Sequence, residues 1–438
     1  MSTPPETAFD LQRQTWENAG EFLEKLARVD DANRRVADVE VGQTPSEVVY
    51  EENKLELLHY ESRTDEQHDV PILIVYALFN KPFILDLQPE RSVVRTLLDH
   101  GFDVYMIDWN EPSLMDRHLT FEDYVDRYID NCVDVVRDRS GREAINHLGY
   151  CMGGAMSVLY AALYPEKVHT LGLMAISVGL RDTDSVLDQW VGEDFFDVRS
   201  LVDTYGNAPA EYVDAGFSLR EPVADNLTKY LRFFDGIEDE DFVGNFARME
   251  KWIDESIDIP GQLLVDFVDA VYHEESISNN EMYVGGRHAD LGNLTMPIVQ
   301  VIGNYDHVVP PEAQRAFTGV LPGDPAVFEA DTGHMGLAVS GRAHGDLWPD
   351  VCAWYEERSR LEEGAGGDGS GAESEAERRR GLEDVDGIGP TYAGRLRAAG
   401  IDTVGDLEGV DPAALAGGID VPEGRLREWV ERAEGGTE

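Results

Sequence analysis

Apolar residues follow two rhythms along the chain. Short, nearly continuous apolar runs bounded by proline or polar turns occur at 71–77 (PILIVYA), 103–107 (DVYMI), 144–149 (AINHLG), 168–174 (VHTLGLM) and 297–302 (PIVQVI). Runs of this length are the mark of strands buried on both faces. Between them the spacing turns helical. In 121–138 (FEDYVDRYIDNCVDVVRD), Phe121, Tyr124, Val125, Tyr128, Ile129, Cys132 and Val136 recur on one face. Strands alternating with helices predict an α/β fold, a mostly parallel sheet covered on both sides.

The rhythm breaks between about 180 and 290, where helical and loop-rich sequence with aromatic clusters (KYLRFFDGI, LLVDFVDAVYH) reads as a cap insertion over one end of the sheet. Residues 359–380 are rich in Gly, Ser and charge, a flexible-linker composition. The expected organisation is an N-terminal helical region (1–44), a catalytic domain (45–358), the linker, and a small all-α module (381–438).

Composition adds a strong charge signal. The 438 residues carry a formal net charge of -50, yet 42% are hydrophobic, so the chain reads as an acidic globular protein. Only 6 of its 36 basic residues are lysine. This balance resembles proteins of salt-accumulating halophiles, in which concentrated salt screens the self-repulsion. Three widely spaced cysteines, Cys132, Cys151 and Cys352, offer neither a disulfide framework nor a zinc motif. With no signal-peptide pattern and no run of about 18 apolar residues, the expected location is the cytoplasm.

The chemistry centres on GYCMGG, 149–154. It follows a strand-like run and opens a small-residue helix, AMSVLYAAL, which is the context of a nucleophile elbow. Gly149, Gly153 and Gly154 leave room for the sharp turn, and the Met152 amide at the helix start is an oxyanion donor. The second donor is the Ala77 or the Leu78 amide, in the loop after the first apolar run. A base and its orienting acid should follow late strands. Asp306, in GNYDHVVPP, and His334, in ADTGHMG, stand there in that order. His307 is a weaker candidate beside Asp306, and His147 reads as a packed core residue.

The run PILIVYALFNKPFILDLQPERSVVRTLLDHGFDVYMIDWNEPSLMDRHLTFEDYV, with GYCMGG, VGGRHADLGNLTMPIVQVIGNYDHVVPP and GHMGLAVSGRA, closely resembles polyhydroxyalkanoate synthases of the short, two-subunit (class III) type. The likeness spans about 45–357. It implies an α/β-hydrolase fold and carries the family's nucleophile, acid and base onto Cys151, Asp306 and His334. The implied reaction is polymerisation of (R)-3-hydroxyacyl-CoA, such as 3-hydroxybutyryl-CoA or 3-hydroxyvaleryl-CoA, with CoA release. It implies no metal or organic cofactor, since CoA enters with the substrate. The implied partners are a second synthase subunit, within a homo- or hetero-oligomer, and the surface of the polyester granule. A Cys-dependent α/β hydrolase, such as an acyl-CoA thioesterase or a dienelactone hydrolase, would use the same three residues and yield free acid instead. The last segment, with GIGPTYAGRLRAAGI, resembles a helix-hairpin-helix module. Its 13 acidic residues against 5 arginines make a field unfavourable to nucleic acid, so a protein-docking or granule-associated role is expected.

Overall fold

The five apolar runs form the centre of one eight-stranded sheet. In chain order its strands are β1 (Ser46–Glu52), β2 (Leu55–Tyr60), β3 (Ile72–Val75), β4 (Val104–Asp108), β5 (Ile145–Tyr150), β6 (Val168–Met174), β7 (Ile298–Gly303) and β8 (Ala326–Ala330). This computed structural model describes residues 39–180, 183, 197–212 and 233–360, with scattered positions between 382 and 430. The strand order is β1-β2-β4-β3-β5-β6-β7-β8. Every pairing from β4 to β8 is parallel, while β1 with β2 and β2 with β4 are antiparallel.

Burial explains why some strands announce themselves and others do not. Every residue of β3, β5 and β7 is buried, because helices cover both faces. The edge strand β1 is mostly exposed, and its charged sequence SEVVYEE lacks an apolar run. Hence the antiparallel pair β1–β2 is an addition to the expected parallel sheet. Within 121–138 the chain is helical as its spacing predicts, but it opens with π-helical turns over Asp123–Ile129 before α2 (Asp130–Ser140). The earlier helix α1 spans Val93–Asp99.

Helix α3 (Met152–Leu163) starts at the elbow and is buried along all but its last residue. Its small residues let it approach the sheet closely. A Cβ on Gly153 would stand 2.0 Å from the Val75 carbonyl oxygen, and one on Gly149 would stand 2.6 Å from Gly154 Cα. The glycines therefore press the helix start against the end of β3.

Between β6 and β7 the described part of the insertion holds α4 (Val198–Tyr205), α5 (Glu240–Asp254), α6 (Gly261–Val268) and a small hairpin pairing Tyr283–Val284 with Arg287–His288. Residues 181–182, 184–196 and 213–232 of the insertion lie outside the described residues. After β7 come α7 (Pro311–Thr318), β8 and α8 (Trp348–Ser359). The Tyr355 hydroxyl on α8 donates to the His147 carbonyl at 2.8 Å, tying this last helix to the sheet centre.

The chain divides into two compact units, 1–360 and 361–438. In the second, Leu382, Leu396, Leu407, Leu426 and Trp429 are buried. The GIGP turn, residues 361–380 of the expected 359–380 linker and the N-terminal region up to 38 lie outside the described residues, while Ser359 closes α8. Among the described residues no helix is long and apolar enough to cross a membrane.

Candidate active site

The site gathers where the parallel strands end. Cys151 follows β5 directly and adopts φ 56° and ψ -118°, a conformation costly for any residue with a Cβ. Its neighbours enforce it. The Cys151 N–H donates to the Met174 carbonyl at 3.0 Å, and its own carbonyl accepts from the Gly154 N–H at 3.0 Å and the Ser177 N–H at 3.3 Å. The side chain is only 6% exposed, so a substrate must enter an enclosed space to reach the sulfur.

His334 sits in the loop after β8 and Asp306 in the loop after β7. The two loops approach closely because residue 303 is glycine: a Cβ there would stand 2.7 Å from the Thr332 carbonyl oxygen. His334 Nδ1 lies 2.8 Å from Asp306 Oδ2. The other carboxylate oxygen accepts from the Val308 and Val309 N–H groups at 2.9 and 2.8 Å, and the Gln314 side-chain amide reaches Oδ2 at 3.4 Å. A buried carboxylate so fully hydrogen-bonded is held in one orientation. The Tyr150 ring packs on His334 at 5.2 Å between centroids, and the Tyr150 hydroxyl donates to the His334 carbonyl at 3.4 Å.

With Nδ1 taken by Asp306, Nε2 is left for the sulfur. Burial favours the neutral imidazole, but the Asp306 carboxylate and the Cys151 thiolate, which also hydrogen-bonds the ring, outweigh it and push His334 up to about 10. His334 thus holds its proton beside the Cys151 sulfur, with Asp306 fixed behind it.

Met152 is the first residue of α3, so its N–H has no intrahelical acceptor. Ala77 and Leu78 are buried in the loop after β3, which Gly153 brings against the elbow. That loop is held from two sides. The Trp109 indole N–H donates to the Tyr76 carbonyl at 3.0 Å, and the Trp252 indole N–H, from α5 of the insertion, donates to the Lys81 carbonyl at 2.9 Å. Among the described residues no group of three or more His, Cys, Asp or Glu side chains could hold a metal ion.

Comparison with known proteins agrees with the fold. A model of the alpha/beta hydrolase fold matches residues 70–340, and a model of the poly-beta-hydroxybutyrate polymerase (PhaC) N-terminus matches residues 14–97. The "Poly(3-hydroxyalkanoate) polymerase subunit PhaC" of Haloferax mediterranei is 47% identical, with 100% of both chains covered. The chain belongs to the poly(3-hydroxyalkanoate) polymerase family. A second polymerase subunit of the same description, from Haloarcula marismortui, is 48% identical over 98% of each chain. A third, from Allochromatium vinosum, is 39% identical over 73% of this chain and 90% of its own. The first two alignments therefore run through the unit 361–438.

Of the residues singled out from this polymerase sequence, Cys151, His334 and Asp306 come together across three strand ends. His307 is exposed and stands outside the group. His147 is fully buried, stacked on Tyr160 at 5.4 Å, and neither ring nitrogen has a hydrogen-bond partner among the described residues. Sequence reasoning missed Ser177, Tyr150 and Gln314. Tyr150 stands inside the GYCMGG motif beside Cys151, whereas no motif marks Ser177 or Gln314, which reach the site from other elements through tertiary packing.

Proposed function

We propose that the chain polymerises (R)-3-hydroxyacyl groups delivered as CoA thioesters, releasing CoA and building the polyester through a covalent acyl-Cys151. The observation that carries this reading is the meeting of Cys151, on a strained elbow, with a His334 whose far nitrogen is fixed by Asp306.

In the first step the Cys151 thiolate attacks the thioester carbonyl. The oxyanion that forms is received by the Met152 amide and that of Ala77 or Leu78. The C–S bond to CoA breaks, and the departing sulfur takes the His334 proton. One thioester replaces another, so the acyl group stays activated, which a serine ester would not achieve.

Acylation has a second effect. It removes the thiolate charge that helped raise the proton affinity of His334, so the imidazole holds a proton less tightly and is free to act as general base when one is needed. A 3-hydroxyl then gives its proton to His334 and attacks the acyl-Cys151 carbon. An ester bond forms, and the thiolate returns. Water must be kept out, and the insertion, anchored to the loop after β3 through Trp252, is placed to do so.

No metal or organic cofactor enters this scheme. The family relatives are named as subunits, which supports a second synthase subunit in the working enzyme. An insoluble product supports residence at a polyester granule surface in the cytoplasm. The family relationship also favours polymer over the free acid that a thioesterase or dienelactone hydrolase would release.

The test is CoA release from 3-hydroxybutyryl-CoA at molar KCl, with the product analysed. Wild type is expected to give insoluble polyester, and Cys151→Ala to lose at least about 10⁴-fold in turnover. Stoichiometric free 3-hydroxybutyrate, or polymer formation surviving in Cys151→Ala, would overturn the reading.

A further inference from the structure

Ser177 lies in the loop that follows β6, three residues past Met174. Its side-chain oxygen is 3.3 Å from Cys151 Sγ, and its N–H donates to the Cys151 carbonyl at 3.3 Å. The residue is 4% exposed. Among the described residues the sulfur is the one hydrogen-bond partner of this hydroxyl. The loop itself is pinned, since the Ala175 N–H donates to the Val301 carbonyl on β7 at 3.0 Å and Ala175 holds a φ of 48°.

A buried hydroxyl needs an acceptor. A neutral thiol is a weak one, whereas a thiolate accepts a charge-assisted bond about twice as strong as a neutral pair. We propose that Ser177 is a second hydrogen-bond donor to the Cys151 thiolate, acting beside His334 to hold the sulfur as an anion. The proposal rests on Cys151 being the nucleophile.

The position has a consequence for each half-reaction. When the His334 proton leaves with CoA, or returns to the solvent, the Ser177 O–H stays. It steadies the sulfur again when the incoming hydroxyl displaces it from the acyl carbon. Ser177 thereby makes Cys151 a better leaving group in the elongation step, the step at which a hydrolase and a polymerase compete.

The titratable groups facing the sulfur are His334 from the loop after β8, with Asp306 behind it, Tyr76 from the loop after β3, and Tyr150 on β5. Tyr76 and Tyr150 are raised well above the ordinary tyrosine range, chiefly by burial, and stay neutral. A change in the pH behaviour of the sulfur on altering Ser177 therefore reports the hydroxyl or His334.

The experiment is the rate of iodoacetamide alkylation of Cys151, assigned by peptide mass, from pH 5 to 10 at molar KCl. It compares wild type with Ser177→Ala, Ser177→Thr and Ser177→Val, each checked by thermal melting. Thr and Val have the same shape, so their difference isolates the hydroxyl from packing. Loss of the hydroxyl is expected to move the alkylation profile up by about one pH unit and to slow alkylation below pH 7 about tenfold. Thr should restore the wild-type profile and Val should not. Superimposable profiles for wild type, Ala and Val would overturn the proposal, and the Ala and Thr comparison stands if Val does not fold. Polymer synthesis surviving complete alkylation of Cys151 would instead overturn the nucleophile itself, whatever Ser177 does.

Discussion

His147 shows how one buried side chain sets acid stability. Its ring is fully buried and unpaired, and burial depresses it to about 3 from an ordinary value of 6.5. The unfolded chain therefore binds a proton that the folded chain refuses. This histidine costs nothing above about pH 6.5. Below that, stability falls by up to roughly 1.4 kcal/mol per pH unit until about pH 3. Replacing it with an apolar residue, as in His147→Leu, should flatten the acid limb of the denaturant-unfolding free energy by about that slope at molar KCl. An unchanged limb would show that other groups govern it. His334 is shifted the opposite way by Asp306 and Cys151. Its contribution is present below about pH 6.5 and lost as pH rises toward about 10. Two histidines thus narrow the stable range from both sides.

At the scale of elements, the coupling that matters runs from the insertion to the loop after β3. Helix α5 is amphipathic, starts with an Asp239 cap whose carboxylate accepts from the Asp241 and Phe242 N–H groups, and sends Trp252 to the Lys81 carbonyl. Arg248, one turn earlier, reaches the Gln88 side chain at 3.1 Å. If α5 seals the site against water, Trp252→Ala should raise the ratio of free acid to polymer by roughly threefold to tenfold, with little change in total CoA release. An unaltered ratio would assign water exclusion to another part of the insertion. The same variant should speed deuterium exchange in 240–254, and a bound acyl-CoA analogue should slow it in the wild type.

For the whole molecule the decisive quantity is the charge of -50. At about 0.1 M salt the Debye length is ~10 Å and carboxylates on neighbouring elements repel; at about 1 M it is ~3 Å and they largely do not. The melting temperature should therefore climb by more than about 10 °C between 0.1 and 2 M KCl, and activity should follow it. A melting temperature independent of KCl would mean that the acidic surface is no burden on folding. The identity shared with polymerase subunits of Haloferax mediterranei and Haloarcula marismortui fits the first outcome.

The sequence by itself determined the parallel centre of the sheet and the order of the three candidate catalytic residues. Strands buried on both faces are largely apolar, and the glycines at 149, 153 and 154 leave room for the elbow, so both leave local marks. It was silent on β1, whose charged, exposed face looks like loop, on the short β2 beside it, and on the π-helical opening of the helix after residue 121. Only the tertiary structure decided that Ser177 meets the sulfur, that Gln314 steadies Asp306, and that Trp252 reaches the loop after β3. These contacts join residues that are 8 to 171 positions apart. Chain spacing carries no record of such pairs, because they arise where strand ends and loops converge rather than from any repeat along the backbone.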